Sequence, residues 1–215
     1  LLDYEAIKYE VSGNRATVTM NRPDSLNGIN NTMMRELYEC LSHIAEDDNI
    51  RAVLFTGAGK GFCPGVDLKA STSGVKQEPS KKIYFHITTL LHDMPKVTVA
   101  GINGACAGAG FGWAAACDLR YATDSASFNS AFLGVAISGD MGGPWTLPRI
   151  LGASKARELY FLPEKFKGPD AERIGLVSKS FADDVFHDEV NAIVDRISKS
   201  APLAIGEMKK NFVNA

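Results

Sequence analysis

The chain has 215 residues, 45% hydrophobic and 22% charged, and 23 Lys plus Arg against 25 Asp plus Glu leave a formal charge of −2. With no block of like charge, the global charge gives no support to a nucleic-acid or anionic-membrane partner and leaves only a local basic patch open, and a chain this long buries roughly 70% of its unfolded surface, so no stapled mini-scaffold is needed. The four cysteines, Cys40, Cys63, Cys106 and Cys117, lack CxxC spacing and are expected to be small buried hydrophobes in a reducing compartment.

In chain order, residues 16–20 are the first strand-like run. Asn30 and Asn31 then cap a helix whose apolar positions Met33, Leu37, Leu41 and Ile44 recur at helical spacing, with Glu36, Glu39 and His43 on the opposite face. A second strand-like run, 52–56, leads into Gly57-Ala58-Gly59-Lys60-Gly61, and the polar stretch 71–80 is expected to be a mobile loop. Residues 97–117 carry no charge, a length that meets the ~20 residues of a membrane-spanning helix. Five glycines and the Asn103-Gly104 pair break that stretch, which predicts instead a buried strand at Val97–Ile102, a tight turn and a buried helix.

Beyond about residue 145 the pattern is mainly helical: 153–162, then a short helix with Pro169 in its first turn and Gly175 at its end, then 188–198 with Val190, Ile193, Val194 and Ile197 on one face. Strands followed by glycine-rich breaks and helical spacing predict an α/β fold with a parallel sheet and crossover helices. The chain begins with Leu1, so a preceding segment, including a targeting signal, remains open.

Neither glycine-rich turn matches a nucleotide loop. Lys60 is followed by Gly61, and Leu54 stands where a Walker loop needs its first glycine. Gly108-Ala109-Gly110-Phe111-Gly112-Trp113 gives GxGxG where a dinucleotide fingerprint needs GxGxxG. Gly108-Ala109-Gly110 does open an apolar helix, whose first N–H groups have no intrahelical partner and whose dipole end is positive. That start either binds a developing oxyanion or simply lets helix and strand pack closely. His43, His86, His92 and His187 show no metal-ligand spacing.

Four ordered motifs together carry a family resemblance: Asn21-Arg22-Pro23-Asp24-Ser25-Leu26-Asn27; Gly57 through Leu68 with its Gly65-Val66-Asp67 core; Asn103-Gly104 with the Gly108 cluster; and Ala131-Phe132-Leu133 through Asp140-Met141-Gly142-Gly143. In order and spacing, from about residue 5 to 210, the chain resembles the crotonase (enoyl-CoA hydratase/isomerase) superfamily. The resemblance implies a ββα spiral core over residues 1–150 holding a CoA site and an oxyanion hole, and a helical C-terminal part over 151–215 that takes part in trimerisation and is incomplete here. It implies that the N–H groups of Val66 and Ala109, flanked by Gly65, Gly108 and Gly110, hold the oxygen of an acyl-CoA thioester. Val66-Asp67-Leu68-Lys69 would border the CoA nucleotide, with Lys69 toward a phosphate, Leu26 lining the CoA channel and Asp67 fixing its loop through backbone hydrogen bonds. Phe128, Phe132 and Trp145 are candidates for the acyl pocket or for plain core, and Asp118 is expected to anchor the following strand.

The chain departs from the superfamily at its carboxylates. Hydratases of this type place two glutamates where this chain has Gly112 and Phe132. What remains is Asp140, matching the aspartate of the double-bond isomerase branch that includes phenylacetate-pathway isomerases, with Gly139 where that branch usually has Pro. One carboxylate beside an oxyanion hole suits a 1,3-proton shuttle, whereas water addition normally needs a second group. The expectation is therefore a Δ3/Δ2-type enoyl-CoA isomerase with Asp140 as base. A hydratase, hydrolase or lyase with an unrecognised second group, a non-catalytic acyl-CoA-binding scaffold, and an Asp140 that merely caps the next helix stay open. The same resemblance implies no cofactor beyond coenzyme A as part of the substrate, a homotrimer or hexamer, no nucleic-acid or membrane partner, and a cytoplasmic or organelle-matrix location.

Overall fold

The computed structural model describes residues 4–67 and 81–215. The loop expected at 71–80, and Leu68 and Lys69, lie outside the described residues.

Strands β1 (Ile7–Ser12) and β2 (Arg15–Met20) form an antiparallel hairpin that opens a six-stranded sheet. The sheet continues in parallel through β3 (Ala52–Gly57), β5 (Val97–Ile102), β7 (Leu119–Thr123) and β10 (Lys179–Phe181), in the order β1-β2-β3-β5-β7-β10. Shortly after each of β3, β5 and β7 the chain bends and lays down a second, short strand: β4 (Gly61–Cys63), β6 (Ala105–Ala107) and β8 (Ser127–Asn129). These pair in parallel in a second sheet, closed at its edge by antiparallel β9 (Phe166–Lys167). Each turn of the chain thus adds one strand to each sheet and steps sideways, which is the ββα spiral.

Strand β3 is buried at all six positions because both faces of the large sheet are covered. Its period of two sends Val53 and Phe55 into the main core, with Phe62, Phe111, Trp113 and Phe128, and sends Ala52 and Leu54 to the other face. There they meet Phe186, Val190 and Val194 of a C-terminal helix (Phe186–Ser198), the apolar stripe expected from the sequence. All four cysteines are free and buried.

Helix α1 (Asn31–Glu46) starts as expected: the Asn30 side chain accepts a hydrogen bond from Met33 N (2.9 Å). Glu36 corrects the expected polar face. It is buried, and its carboxylate accepts from Glu5 N (3.1 Å) and Ala6 N (2.8 Å), a use of a charged side chain that periodicity does not show. A short helix α2 (Ile87–Asp93) precedes β5, and the uncharged stretch continues through β6 into α3 (Gly108–Ala116), buried at every position. No helix among the described residues is long and apolar enough to cross a membrane.

Asp118 was expected to anchor the following strand. Its carboxylate instead accepts from Thr98 N (2.7 Å), in the strand before, and pairs with the buried Lys209 Nζ (2.8 Å). Lys209 also donates to Lys96 O and so fastens the last helix (Pro202–Val213) to the core.

Candidate active site

Residues Pro64-Gly65-Val66-Asp67 leave β4 and turn toward the start of α3. Ile29 and Val66 form an isolated parallel bridge, with Ile29 N donating to Gly65 O (2.9 Å) and Asp67 N donating to Ile29 O (3.0 Å). In such a bridge the residues flanking Val66 make the bonds, so the Val66 amide points away from Ile29. Gly65, at φ +98°, packs its Cα on the helix start: a Cβ there would lie 3.5 Å from Ala109 N and 3.3 Å from Ala107 O. Ala109 lies in the first turn of α3, where N–H groups have no intrahelical partner. Neither the Val66 nor the Ala109 amide enters a turn or loop hydrogen bond among the described residues. The residue preceding one amide is therefore packed against the other.

Glycine is required beneath this arrangement. Gly110 lies so close to Cys63 that a Cβ would overlap the Cys63 carbonyl oxygen. Burial pushes the Cys63 thiol up to about 12, so it is a packing group and not a nucleophile.

Asp67 fixes the turn through its side chain as well as its N–H: its carboxylate pairs with Arg22 (3.0 Å), whose guanidinium also donates to Gly28 O. Arg22 stands in the Asn21–Asn27 motif, and the only sign of its role in the sequence is a charge opposite to that of Asp67 in a separate motif. The nearby 57–61 turn hangs on two amide side chains. Buried Asn27 donates to Ala58 O (3.0 Å) and Gly61 O (2.7 Å), and Asn103 accepts from Gly57 N (3.2 Å) and donates to Gly59 O (2.9 Å). Leu26 sits beside this turn at φ +53° with its side chain exposed.

Asp140 precedes helix α4 (Gly143–Leu151). That helix is capped by the Gly142 backbone with no side-chain bond, so Asp140 is not its cap. Asp140 Oδ1 is buried with no hydrogen-bond partner among the described residues, and burial raises its carboxyl above the usual carboxylate range. The loop carrying it reaches α3 at Gly112, where a Cβ would lie 2.7 Å from Met141 Cβ and 3.3 Å from Asp140 O. Positions 109 and 112 share a helix face, so one helix both presents the Ala109 amide and seats the Asp140 loop. Gly139 adopts φ +106°, which proline at about −65° cannot, so it sets a loop path that proline would not.

Among the aromatic candidates, Phe128 is core, between Phe111 (6.4 Å) and Phe166 (5.4 Å). Phe132 is buried and stacks flat on Tyr160, 5.8 Å between centroids and 9° between planes. Trp145 is exposed, with Arg149 lying over its ring at 3.8 Å and His92 against its edge. Sequence reasoning passed over Tyr160 altogether, because nothing in its spacing ties residue 160 to residue 140. Among the described residues no group of three His, Cys, Asp or Glu side chains is placed to hold a metal ion.

A ββα spiral that stacks a glycine-bounded turn on a helix start, beside a loop with one buried carboxylate, defines a crotonase-type protein. The enoyl-CoA hydratase/isomerase family model matches residues 10–215, and the chain belongs to that family. It is 34% identical over 211 residues to mitochondrial Δ(3,5)-Δ(2,4)-dienoyl-CoA isomerase of Rattus norvegicus, covering 91% of this chain and 64% of the length of that relative. It is 32% identical over 208 residues to 1,2-epoxyphenylacetyl-CoA isomerase of Escherichia coli, covering 93% and 78%. A solved enoyl-CoA hydratase from Bacillus anthracis superposes with a TM-score of 0.91 at 28% identity, covering 98% of this chain and 83% of that one.

Proposed function

We propose that the chain acts on an acyl-CoA thioester whose carbonyl oxygen sits between the amides of Val66 and Ala109, and that it shifts an enoyl double bond with Asp140 as the proton carrier. The packing of Gly65 against Ala109 N carries this reading. A thioester α-proton is too weakly acidic to remove unless the enolate oxygen is stabilised as it forms, and one such donor is worth about 10²–10³ in rate. Both donors are main-chain groups on a turn and a helix start held by packing, so little reorganisation is required when charge develops.

Asp140 then removes a proton from one carbon of the enoyl chain and returns it two carbons along. Its raised carboxyl suits both steps, because a base nearer neutrality accepts and gives back the proton with smaller free-energy differences. Gly112 and Phe132 supply no second carboxylate, which favours isomerisation over water addition. Coenzyme A enters as part of the substrate, with Leu26 beside its channel. The exposed Leu203 and Phe212 of the last helix support self-association as a trimer or pair of trimers, which light scattering measures.

Proton NMR in heavy water tests the reading. Incubated with a 3-enoyl-CoA, the protein is expected to yield the 2-enoyl isomer, with deuterium on the chain to the extent that Asp140 exchanges its proton with solvent before returning it. Production of 3-hydroxyacyl-CoA alone would favour the hydratase reading, and binding with neither isomer formed nor α-proton exchanged would favour the scaffold.

A further inference from the structure

Two side-chain atoms beside the candidate site are buried and, among the described residues, without a hydrogen-bond partner: Asp140 Oδ1 and Tyr160 Oη. Buried polar atoms are nearly always paired, so two orphans in one neighbourhood point to a common ligand. Tyr160 lies on helix α5 (Ala153–Phe161) and its ring spans the Asp140 segment. One ring edge rests on Gly139, where a Cβ would be 2.9 Å from Cε1, and the hydroxyl rests on Gly143, where a Cβ would overlap Oη. Phe132 stacked on the ring face fixes that orientation, and Ser130 Oγ donating to Leu159 O (2.8 Å) ties down the adjoining backbone. Burial, and then the charge of Asp140, keep the Tyr160 phenol protonated. The pair thus offers one donor and one acceptor.

We propose that Tyr160 and Asp140 together hold a single hydroxyl oxygen, Tyr160 Oη donating to it and the Asp140 carboxylate accepting from it. The hydroxyl belongs either to water or to the acyl chain of the thioester; the recognition chemistry is the same. The proposal rests on the proposed function only for the second source, since a water needs no thioester. It gives the site a second proton-bearing group where Gly112 and Phe132 offer none.

Tyr160→Phe removes the hydroxyl and keeps the ring and its stacking, so the fold is retained. Crystal structures of the wild type, unliganded and with 3-hydroxybutyryl-CoA, are expected to show an oxygen within about 3 Å of both Tyr160 Oη and an Asp140 oxygen. Its presence in the unliganded crystal assigns it to water, and its appearance only with the thioester assigns it to the acyl hydroxyl. In the second case the wild type binds 3-hydroxybutyryl-CoA about tenfold tighter than butyryl-CoA by calorimetry, and Tyr160→Phe binds both alike. In the first, the oxygen is missing from the Tyr160→Phe crystal while the variant's affinity for butyryl-CoA stays the same. No bridging oxygen in either wild-type crystal, or a Tyr160→Phe variant that keeps both the bridging oxygen and the wild-type thioester preference, overturns the proposal. A protein that binds thioesters and bridges the oxygen but never shifts a double bond would sink the isomerase reading and leave this one standing.

Discussion

Gly112 lies against Met141 so closely that a Cβ on it would come within 2.7 Å of the Met141 Cβ and 2.9 Å of the Met141 carbonyl oxygen. The Asp140 loop occupies the space into which a side chain from position 112 would project. Absence of a glutamate at 112 and presence of an aspartate at 140 are thus one structural choice.

Gly112→Glu is accordingly expected not to create a hydratase. The added side chain must push the 140–141 backbone away from α3, costing about 1–3 kcal/mol as an overpacked site does. Double-bond shift should fall with the displaced loop, with no gain in water addition. Denaturant melts and product analysis on 3-enoyl-CoA and 2-enoyl-CoA measure the two effects; a stable variant that hydrates 2-enoyl-CoA faster than the wild type would contradict the packing argument.

Asp140→Asn should lower turnover by at least about 10² while acyl-CoA affinity changes little. Its stability runs the other way. Burial raises the Asp140 pKa in the folded chain above its unfolded value, so folding favours the protonated acid. That contribution is complete below about pH 3.9 and is lost as pH rises through the folded pKa. Between those limits the wild type loses stability relative to the asparagine variant, which at pH 7 should be at least as stable. Thermal melts from pH 3.5 to 8 read this directly, and the acid limb of wild-type kcat should lie above that of an ordinary aspartate.

Arg22→Ala removes the cation that ties Asp67 to the Gly28 carbonyl. The pair is mostly buried, so the loss should fall between surface and interior cases, about 1–3 kcal/mol. Because the Asp67 turn carries the Val66 amide, kcat should drop by about tenfold or more through misplacement. Arg22→Lys restores only part of both, since an ammonium lacks the fork that reaches two acceptors. Melts and steady-state kinetics on the three proteins check the order; unchanged kcat in Arg22→Ala would show that the turn is held without Arg22.

Local signals carried much of the fold. Period-two and period-3.6 patterns placed β2, β3, β5 and α1, and Pro169 with Gly175 bracketed a short helix, because those devices act within a few residues. Long-range decisions were not legible: Glu36 turned inward to meet Glu5 and Ala6, Asp118 reached back to Thr98, and Phe128 went to the core. At the site, the Gly65-Val66-Asp67 and Gly108 motifs pointed to elements that do stack together. Tyr160 escaped because its relation to Asp140 depends on how two helices pack, and the use of Gly139 was not legible because it is a backbone φ of the left-handed side.

The central claim is that the Val66 and Ala109 amides hold one thioester oxygen. Infrared difference spectroscopy of a ¹³C=O-labelled saturated acyl-CoA bound to Asp140→Asn tests it without turnover. The account predicts that the carbonyl stretch of the bound thioester moves to lower frequency than in solution, as two donors polarise it; a bound thioester whose carbonyl band does not move would contradict it.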